Sequence, residues 1–260
     1  VAQAIGGCEI VFHLAAIGSV PRSIKDPQRT WSVNTTGTVR VLEAARKSQC
    51  RRVVFAASSS AYGEDPTLPK AETITPRPLS PYAASKVASE HLMLSWSKSY
   101  GLSTASLRYF NIFGPRQPAD SAYAAVIPLF MRALMNGEPP VIYGDGQQSR
   151  DFTPVDNAVL ATLLAGSSAR PLAGETFNVG TGRRTSLIDL LRLLGPILGV
   201  TGDIGPKLEP PRPGDVRHSL ADITRARELL DYAVIRTLED GLRETAAWQR
   251  QMLAGADRTG

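Results

Sequence analysis

The stretch SPYAASK, from Ser80 to Lys86, places a tyrosine and a lysine four residues apart. Ser80 suits the N-cap of a helix and Pro81 its first position, so we expect a helix to begin here. In that helix Tyr82 and Lys86 share one face, where the ammonium would favour the phenolate and lower the tyrosine pKa by ~1–3 units. The pair therefore predicts a general base. By itself the spacing is a weak signal, because any solvated helix can contain it.

Three serines stand upstream of this pair, in VVFAASSSAYG. The apolar run before them predicts a buried strand, which places Ser58 to Ser60 at its carboxyl end. Open α/β sheets bind their ligands at that edge. We expect the Ser58 hydroxyl to hydrogen-bond to a substrate oxygen that Tyr82 deprotonates. The alternative is a serine-rich turn that only ends the strand.

The elements that must position these residues follow from hydrophobic patterning. Continuous apolar runs indicate strands buried on both faces, as in a parallel sheet. Helical patterns lie between them, and the alternation predicts an α/β fold with a doubly wound parallel sheet. The predicted strands are Ile10–Ala16, Val53–Ala57, Thr104–Phe110 and Thr176–Val179, and the helices span Asn34–Gln49 and Pro81–Tyr100.

The pattern changes after Gly114. Apolar residues at helical spacing predict two further helices, one around Phe130 and one after the capping box formed by Ser186 and Asp189. The proline-rich segment 202–219 predicts a shaped loop instead of a helix or central strand. We expect a smaller second lobe from this half of the chain, with part of 153–179 returning to the sheet.

Composition narrows the class of protein. The chain has 260 residues, 43% of them apolar and 20% charged, which is typical of a soluble globular protein. Its net charge of +5 comes without a basic block longer than Arg51-Arg52, so nucleic-acid binding is poorly supported. No apolar run approaches the ~20 residues of a membrane span, and no secretory signal opens the chain, which favours the cytoplasm. Cys8 and Cys50 lack metal-ligand spacing, and we expect buried, inert thiols and no metal.

Several motifs together carry a family resemblance. They are VFHLAA, Asn34 ahead of a glycine, SSSAYG, YAASK, RYFNIFGPR, GDGQQSRDF and RPGDVRHS. In this order and spacing the chain resembles the extended short-chain dehydrogenase/reductase family of NAD-dependent epimerases and dehydratases, over essentially its whole length. The resemblance implies a Rossmann-like, NAD-binding domain from residues 1–112 and 153–180. A nucleotide-sugar-binding lobe would consist of residues 113–152 and 181–260.

The resemblance also implies catalytic roles. Ser58, Tyr82 and Lys86 would form the triad, with Tyr82 as base and acid, Ser58 orienting a sugar hydroxyl and Lys86 holding the nicotinamide ribose. Asn34 would support the Lys86 end through the helix backbone. His13 is expected to be a packed, hydrogen-bonded core residue. The implied NAD contacts are Leu14, Ala15, Ala16, Asn34, Tyr82, Lys86 and Tyr109.

The implied substrate is a nucleotide sugar. Asn111 matches a diphosphate-sugar contact, and arginines supply the planar fork that suits phosphate oxygens. The implied contacts are Gly18, Ser19, Ser58, Ser59, Ser60, Asn111, Ala125, Val126, Tyr143, Arg150, Arg212, Asp215 and Ser219.

The residues of the serine turn narrow the set of reactions that the family resemblance implies. It lacks the Asp-Glu pair of sugar 4,6-dehydratases and the glutamate of uronate decarboxylases, which leaves 4-epimerisation. Ser219 aligns with a position where a bulky tyrosine excludes N-acetylated sugars from some 4-epimerases. The resemblance is therefore strongest to UDP-N-acetylglucosamine 4-epimerases, including members that accept the uronic acids. Two alternatives stay open: a UDP-glucose or UDP-glucuronate 4-epimerase, and a non-catalytic nucleotide-sensing scaffold on the same fold.

The family's G-x-x-G-x-x-G turn should precede VFHLAA, and the sequence does not contain it. We expect an N-terminally truncated sheet that lacks ~60–90 residues, or two to three strand–helix units. A homodimer built on the helices 34–49 and 81–100 is a further expectation from the resemblance.

Overall fold

The computed structural model describes residues 1–117, 125–200, 205–211 and 216–256. Within these ranges the strands are β1 (Ile10–His13), β2 (Arg52–Ser58), β3 (Ser103–Tyr109), β4 (Ile112–Phe113), β5 (Val141–Tyr143), β6 (Ser149–Arg150), β7 (Thr153–Pro154), β8 (Ala173–Val179), β9 (Thr185–Ser186) and β10 (Lys207–Glu209). The helices are α1 (Ala2–Ile5), α2 (Val20–Lys25), α3 (Pro27–Trp31), α4 (Gly37–Lys47), α5 (Pro81–Tyr100), α6 (Val126–Met135), α7 (Val155–Ser167), α8 (Leu187–Leu198), α9 (Thr224–Leu230) and α10 (Leu238–Ala256). A π-helical turn spans Ser32–Thr36, and a 3-10 turn spans Ser59–Tyr62.

The central sheet has the order β1-β2-β3-β8, and all its strand pairs are parallel. The predicted α/β fold with a parallel sheet and flanking helices is confirmed. Strands β2 and β3 are buried because helices cover both faces, and Val53, Val54 and Phe55 are at most 1% exposed, whereas Phe12 in β1 is 39% exposed. Because β1 ends at His13, the predicted strand was too long by three residues.

Helix α5 begins and ends where the sequence predicted. Ser80 Oγ accepts a hydrogen bond from Ala83 N at 3.2 Å, and Pro81 is the first helical residue. The helix stops at Gly101, whose φ of 70° is in the left-handed region that glycine adopts without strain. The other predicted helix, 34–49, differs, because its first turn is π-helical and α4 begins at Gly37.

A second apolar cluster lies around α6, α8 and α10, and includes Phe130, Leu190 and Leu242. The capping box that precedes α8 is confirmed, since Asp189 N donates to Ser186 Oγ at 3.1 Å. Helix α9 packs with the central sheet through Ala226 and Leu230. The predicted division into two lobes, and the homodimer, stay predictions.

The proline-rich segment contains a strand that the sequence did not predict. Strand β10 pairs in parallel with β5, and Lys207 N donates to Pro140 O at 2.9 Å. A three-residue strand in a two-stranded ribbon fits between Pro206 and Pro210 because these prolines flank it and need not donate to the ladder.

Arg52, the first residue of β2, ties helix α7 to the sheet. Its guanidinium is buried and donates to the carbonyl oxygens of Ala165, Gly166, Ser168 and Arg170 at 2.6–3.2 Å. These carbonyls lie at and just after the carboxyl end of α7, where a cation is favoured by the helix dipole.

Two predictions about composition have different outcomes. Cys50 is buried as expected, but Cys8 is exposed, because it follows the surface turn at Gly6 and Gly7. In the described part of the chain, the helices lack the combination of length and hydropathy needed to cross a membrane. The same residues contain no cluster of His, Cys, Asp or Glu that could hold a metal ion.

Candidate active site

Tyr82 lies in the first turn of α5, beside the carboxyl end of β2. Burial raises the pKa of its phenol, and a hydrogen bond with Ser58 opposes that shift. The predicted lowering of this pKa by Lys86 is not found. Lys86 Nζ lies 5.9 Å from the centroid of the tyrosine ring and donates instead to Ala56 O at 2.7 Å.

Lys86 is a buried cation, only 3% exposed. Its Nζ lies 4.8 Å from the centroid of the Phe55 ring. Burial lowers the pKa of Lys86 to about 8, and the charge of Glu90 opposes the shift. The ammonium is thus held at the strand ends at a considerable desolvation cost, which is typical of functional lysines.

A buried ion pair that the sequence analysis missed lies one turn beyond Lys86. Glu90 accepts two hydrogen bonds from Arg108, at 2.7 and 2.9 Å, and the guanidinium lies 4.7 Å from the centroid of the Tyr62 ring. Tyr62 in turn donates to Asn178 Oδ1 at 2.6 Å. The spacing of Lys86 and Glu90 by one helical turn was the available signal.

Ser58 and Ser60 form a small hydroxyl network at the end of β2. Ser58 Oγ accepts a hydrogen bond from Ser60 Oγ at 2.8 Å and another from Ser60 N at 3.2 Å. The second bond caps the 3-10 turn that follows the strand, and it fixes the rotamer of Ser58. The serines end the strand and face the same cavity as Tyr82, and the contact of Ser58 with a substrate oxygen stays a prediction.

Asn34 connects the chain after β1 to helix α5. Its side-chain oxygen accepts from Ile17 N at 2.8 Å, and its Nδ2 donates to Ser85 Oγ at 2.9 Å. Asn34 therefore contacts the side chain of Ser85, the residue that precedes Lys86 in the chain. His13 is packed and hydrogen-bonded as expected, with Nε2 at 3.0 Å from Thr38 Oγ1. Burial, and then the charge of Lys86, lower its pKa to about 4, so it is neutral at pH 7.

One cavity of about 960 Å³ brings nine of the predicted residues together. From the predicted set it is lined by Gly18, Ser58, Ser59, Ser60, Tyr82, Tyr109, Asn111, Arg150 and Ser219. Asn111 has a φ of 34°, a left-handed conformation that asparagine tolerates better than most residues, at the exit from β3. We call this space the larger cavity.

An adjoining, smaller cavity of about 280 Å³ contains three more predicted residues, Ala125, Val126 and Tyr143. It shares Asn111, Ile112 and Arg150 with the larger cavity, so the polar pair Asn111 and Arg150 lies where the cavities meet. An elongated ligand that fills both cavities would pass this pair.

Other predicted site residues in the described ranges do not line either of these two cavities. Leu14, Ala15 and Ala16 follow the carboxyl end of β1 and line neither cavity. Ser19 caps α2 by accepting from Arg22 N at 3.3 Å. Arg212 and Asp215 lie outside the described residues.

The larger cavity also has residues that sequence reasoning missed. Lys70 is 2% exposed, contacts the Asp65 carbonyl oxygen and lies 3.7 Å from Asp65 Oδ1. His218 has Nδ1 at 2.9 Å from Ser149 Oγ, and its pKa is lowered by slight burial and by nearby arginines. His218 stands within the quoted motif RPGDVRHS, whereas nothing in the loop around Lys70 indicated that it returns to the site.

Asp151 is a buried carboxylate next to Arg150. It accepts hydrogen bonds from Thr181 N and Oγ1 at 2.8 and 2.6 Å, from Gly182 N at 3.0 Å and from Ala221 N at 3.2 Å. Burial raises its pKa, and these hydrogen bonds oppose the shift. Asp151 thereby fixes the chain after β8 and the segment that carries Ser219 against Arg150.

The donor set at the strand ends fits one end of the expected cofactor. The Lys86 ammonium and the Tyr82 hydroxyl lie at the carboxyl edge of the sheet, where a nicotinamide ribose needs hydrogen-bonding partners. Tyr109, the last residue of β3, has its hydroxyl 2.6 Å from Thr162 Oγ1. The residues that would hold this end of NAD are therefore present.

Comparison with known proteins agrees with this site. The model of the NAD-dependent epimerase/dehydratase family matches residues 1–180. A UDP-glucose 4-epimerase from Mycolicibacterium smegmatis is 40% identical over 243 residues, which are 93% of this chain and 76% of the relative.

Two solved structures extend the similarity to the fold. A UDP-N-acetylglucosamine 4-epimerase from Methanobrevibacter ruminantium M1, in complex with UDP-N-acetylmuramic acid, has 39% identity and a TM-score of 0.92, covering 96% of this chain and 79% of that one. A UDP-glucose 4-epimerase from Thermotoga maritima, with UDP-glucose, has 38% identity and a TM-score of 0.88, covering 94% and 78%. With a family match over more than half of its length and relatives of this identity, the chain belongs to the NAD-dependent epimerase/dehydratase family.

Proposed function

We propose that this enzyme is a UDP-sugar 4-epimerase that interconverts UDP-N-acetylglucosamine and UDP-N-acetylgalactosamine. Such an enzyme is an isomerase that uses NAD as its redox cofactor. The observation that carries the proposal is the larger cavity, in which Ser58 and Tyr82 share one space with Asn111, Arg150 and the small residue Ser219.

The chemistry of the triad follows from its geometry. Tyr82 would accept the proton of the sugar O4 and later return it, while the Ser58 hydroxyl orients that oxygen. When bound, NAD accepts a hydride from C4 and returns it to the opposite face of the ring. Lys86, buried beside the strand ends, would hold the nicotinamide ribose. Burial raises the pKa of Tyr82 and favours the phenol, the form that returns a proton to O4. The phenolate that accepts the O4 proton would be favoured by the positive charge of the nicotinamide ring when NAD is bound.

The two adjoining cavities suit the two ends of a UDP-sugar. The sugar would occupy the larger cavity near Tyr82, and the uridine the smaller one beside Tyr143 and Phe130. The diphosphate would pass Asn111 and Arg150 at the junction, where a guanidinium matches phosphate oxygens. Arg212 and Asp215 belong to this proposal as further phosphate and ribose contacts.

The choice of sugar depends on Ser219. A serine in the wall of the cavity leaves space that a tyrosine would fill, and an N-acetyl group needs that space. A specific observation supports a second candidate, the corresponding uronic acids. Lys70 places a buried cation in the same wall, with its one nearby carboxylate among the described residues at 3.7 Å, and a sugar carboxylate would pair with it.

The proposal is tested by product analysis of the full-length enzyme with UDP-glucose, UDP-N-acetylglucosamine and their uronic acids. Ser219→Tyr should lower kcat/KM for the N-acetylated substrate by about tenfold or more, because the ring blocks the acetyl group, and should spare UDP-glucose. Ser219→Ala, which removes the hydroxyl without adding bulk, is the matched control and should keep both activities.

Three results would contradict the proposal. Rapid turnover of UDP-glucose with none of UDP-N-acetylglucosamine would refute the assigned sugar. Tyr82→Phe should lower every activity by about 10²–10⁴-fold. Unchanged turnover in that variant would refute the mechanism, and absence of turnover in the wild-type enzyme would favour the scaffold.

A further inference from the structure

A third cavity, of about 570 Å³, lies apart from the proposed site. It shares no lining residue with the larger cavity and only Phe152 with the smaller one. Four arginines from three segments of the chain line it: Arg183 and Arg184 before β9, Arg227 on α9, and Arg236 before α10. We call it the arginine cavity.

The charge of this cavity is poorly balanced. Glu239 is the one acidic residue that lines it, against the four arginines. Arg236 pairs with Asp156, with Nε and Oδ2 3.3 Å apart. Within the described ranges, Arg183, Arg184 and Arg227 have no ion pair. Like charges gathered in a concave space repel one another, and a bound anion would relieve that repulsion.

The arginine cavity also has an apolar wall. Phe152, Leu193, Val234 and Leu238 contribute to it, and its volume falls within the range of small-molecule sites. Guanidinium groups suit phosphate oxygens, and an apolar wall suits a ring or a short hydrocarbon. A molecule with both parts matches the cavity better than inorganic phosphate does.

We propose that the arginine cavity is a second ligand site that binds an organic phosphate, in which a phosphate or diphosphate group contacts Arg183, Arg184 and Arg227 and an apolar ring contacts Leu193 and Val234. This site is separate from the one assigned to the UDP-sugar and goes beyond the proposed function.

The test uses the full-length enzyme with NAD bound and with saturating UDP, so that the cofactor site and the proposed substrate site are filled. ADP and pyrophosphate are then titrated in a calorimeter. We expect both to bind, and ADP to bind several-fold more tightly because its base covers the apolar wall. Arg183→Ala/Arg227→Ala should weaken ADP binding by at least about tenfold, since it removes two charged hydrogen-bonding groups.

A matched control removes the same charge elsewhere. Arg40 and Arg170 are exposed and line none of the three cavities, so Arg40→Ala/Arg170→Ala should leave ADP binding unchanged. Because the substituted arginines are all exposed, thermal melts should show both double variants to be folded.

Absence of ADP and pyrophosphate binding would overturn the proposal, and so would equal weakening by the two double variants. A separate titration with UDP alone keeps the two assignments distinct. Failure of UDP to bind would count against the proposed function, whereas loss of ADP binding only in Arg183→Ala/Arg227→Ala would still support the arginine cavity.

Discussion

Burial shifts the pKa values of Tyr82 and Lys86 in opposite directions, and both shifts favour the neutral side chain. Sequence spacing predicted correctly that the two residues share a helix, since Ser80 and Pro81 fix its start. The spacing was wrong about the direction in which the pKa of Tyr82 shifts, because that shift depends on burial, and burial depends on how α5 packs against β2. Spacing along one helix carries no information about that packing.

The cost of holding Lys86 charged predicts a gain in stability when it is replaced. Its folded pKa of about 8 lies below the usual 10.5, so the ammonium destabilises the fold fully below pH 8, and the penalty fades as pH rises to 10.5. Lys86→Met should therefore raise the free energy of unfolding at pH 7 by about 1–3 kcal/mol, while turnover falls. Urea denaturation at pH 7 and pH 10 measures this.

The exposed Lys98, on the same helix, provides the control, and Lys98→Met should change stability little at either pH. The gain from Lys86→Met should shrink at pH 10. A variant less stable than wild type at pH 7, or an effect that is the same at both pH values, would contradict the interpretation.

At the scale of elements, hydrophobic runs predicted the four sheet strands, because burial on both faces leaves a continuous apolar signature in Val53–Ala57 and its counterparts. Short elements in the second half were missed. Strand β10 has only three residues between prolines, so it carries no usable periodicity. The buried Arg52 was also missed, since an arginine beside Arg51 is typical of a charged surface.

Replacement of Arg52 should lower the stability of the fold considerably. Arg52→Met keeps similar bulk but removes the buried donor to four carbonyl oxygens near the end of α7, which should cost about 2–4 kcal/mol in the free energy of unfolding. Two of these oxygens, on Gly166 and Ser168, keep only the longer bonds from Arg51. Arg51→Met is the neighbouring control. It removes a partly exposed ion pair with Glu9 and two long hydrogen bonds, of 3.3 and 3.4 Å, to Gly166 O and Ser168 O, and should cost about 1 kcal/mol or less. Equal losses in the two variants, measured by chemical denaturation, would argue against this role for Arg52.

At the scale of the whole molecule, the site depends on contacts between distant parts of the chain. Asp151 joins Thr181 and Ala221, which lie 30 and 70 residues further along. Lys70 reaches the larger cavity because its backbone pairs with the segment around Ala221. The quoted motifs contain most of the cavity's residues, but pairings between distant segments have no local signal. The place of Lys70 in the cavity therefore came only from the structure, as did the contacts of Asp151, although Asp151 lies within the motif GDGQQSRDF.

Asp151→Asn tests whether this junction positions Arg150 and Ser219, which are proposed to bind the substrate. The amide can accept at one oxygen only, so at least one of the three donors Thr181, Gly182 and Ala221 loses its partner, and the segment carrying Ser219 should shift relative to Arg150. We expect KM for the UDP-sugar to rise by about tenfold with a smaller change in kcat. A loss of stability with KM unchanged would show that Asp151 serves the fold alone.

The hydroxyl network at Ser58 has a direction as well as a position. Ser58 Oγ already receives two hydrogen bonds from Ser60, so the one hydrogen it can give is directed away from the turn, toward the Tyr82 phenol or a ligand oxygen. In the proposed reaction the serine turn would therefore act as a hydrogen-bond donor toward the reacting oxygens. An oxygen that gains negative charge opposite Ser58 would be stabilised by this donor in both directions of the proposed reaction.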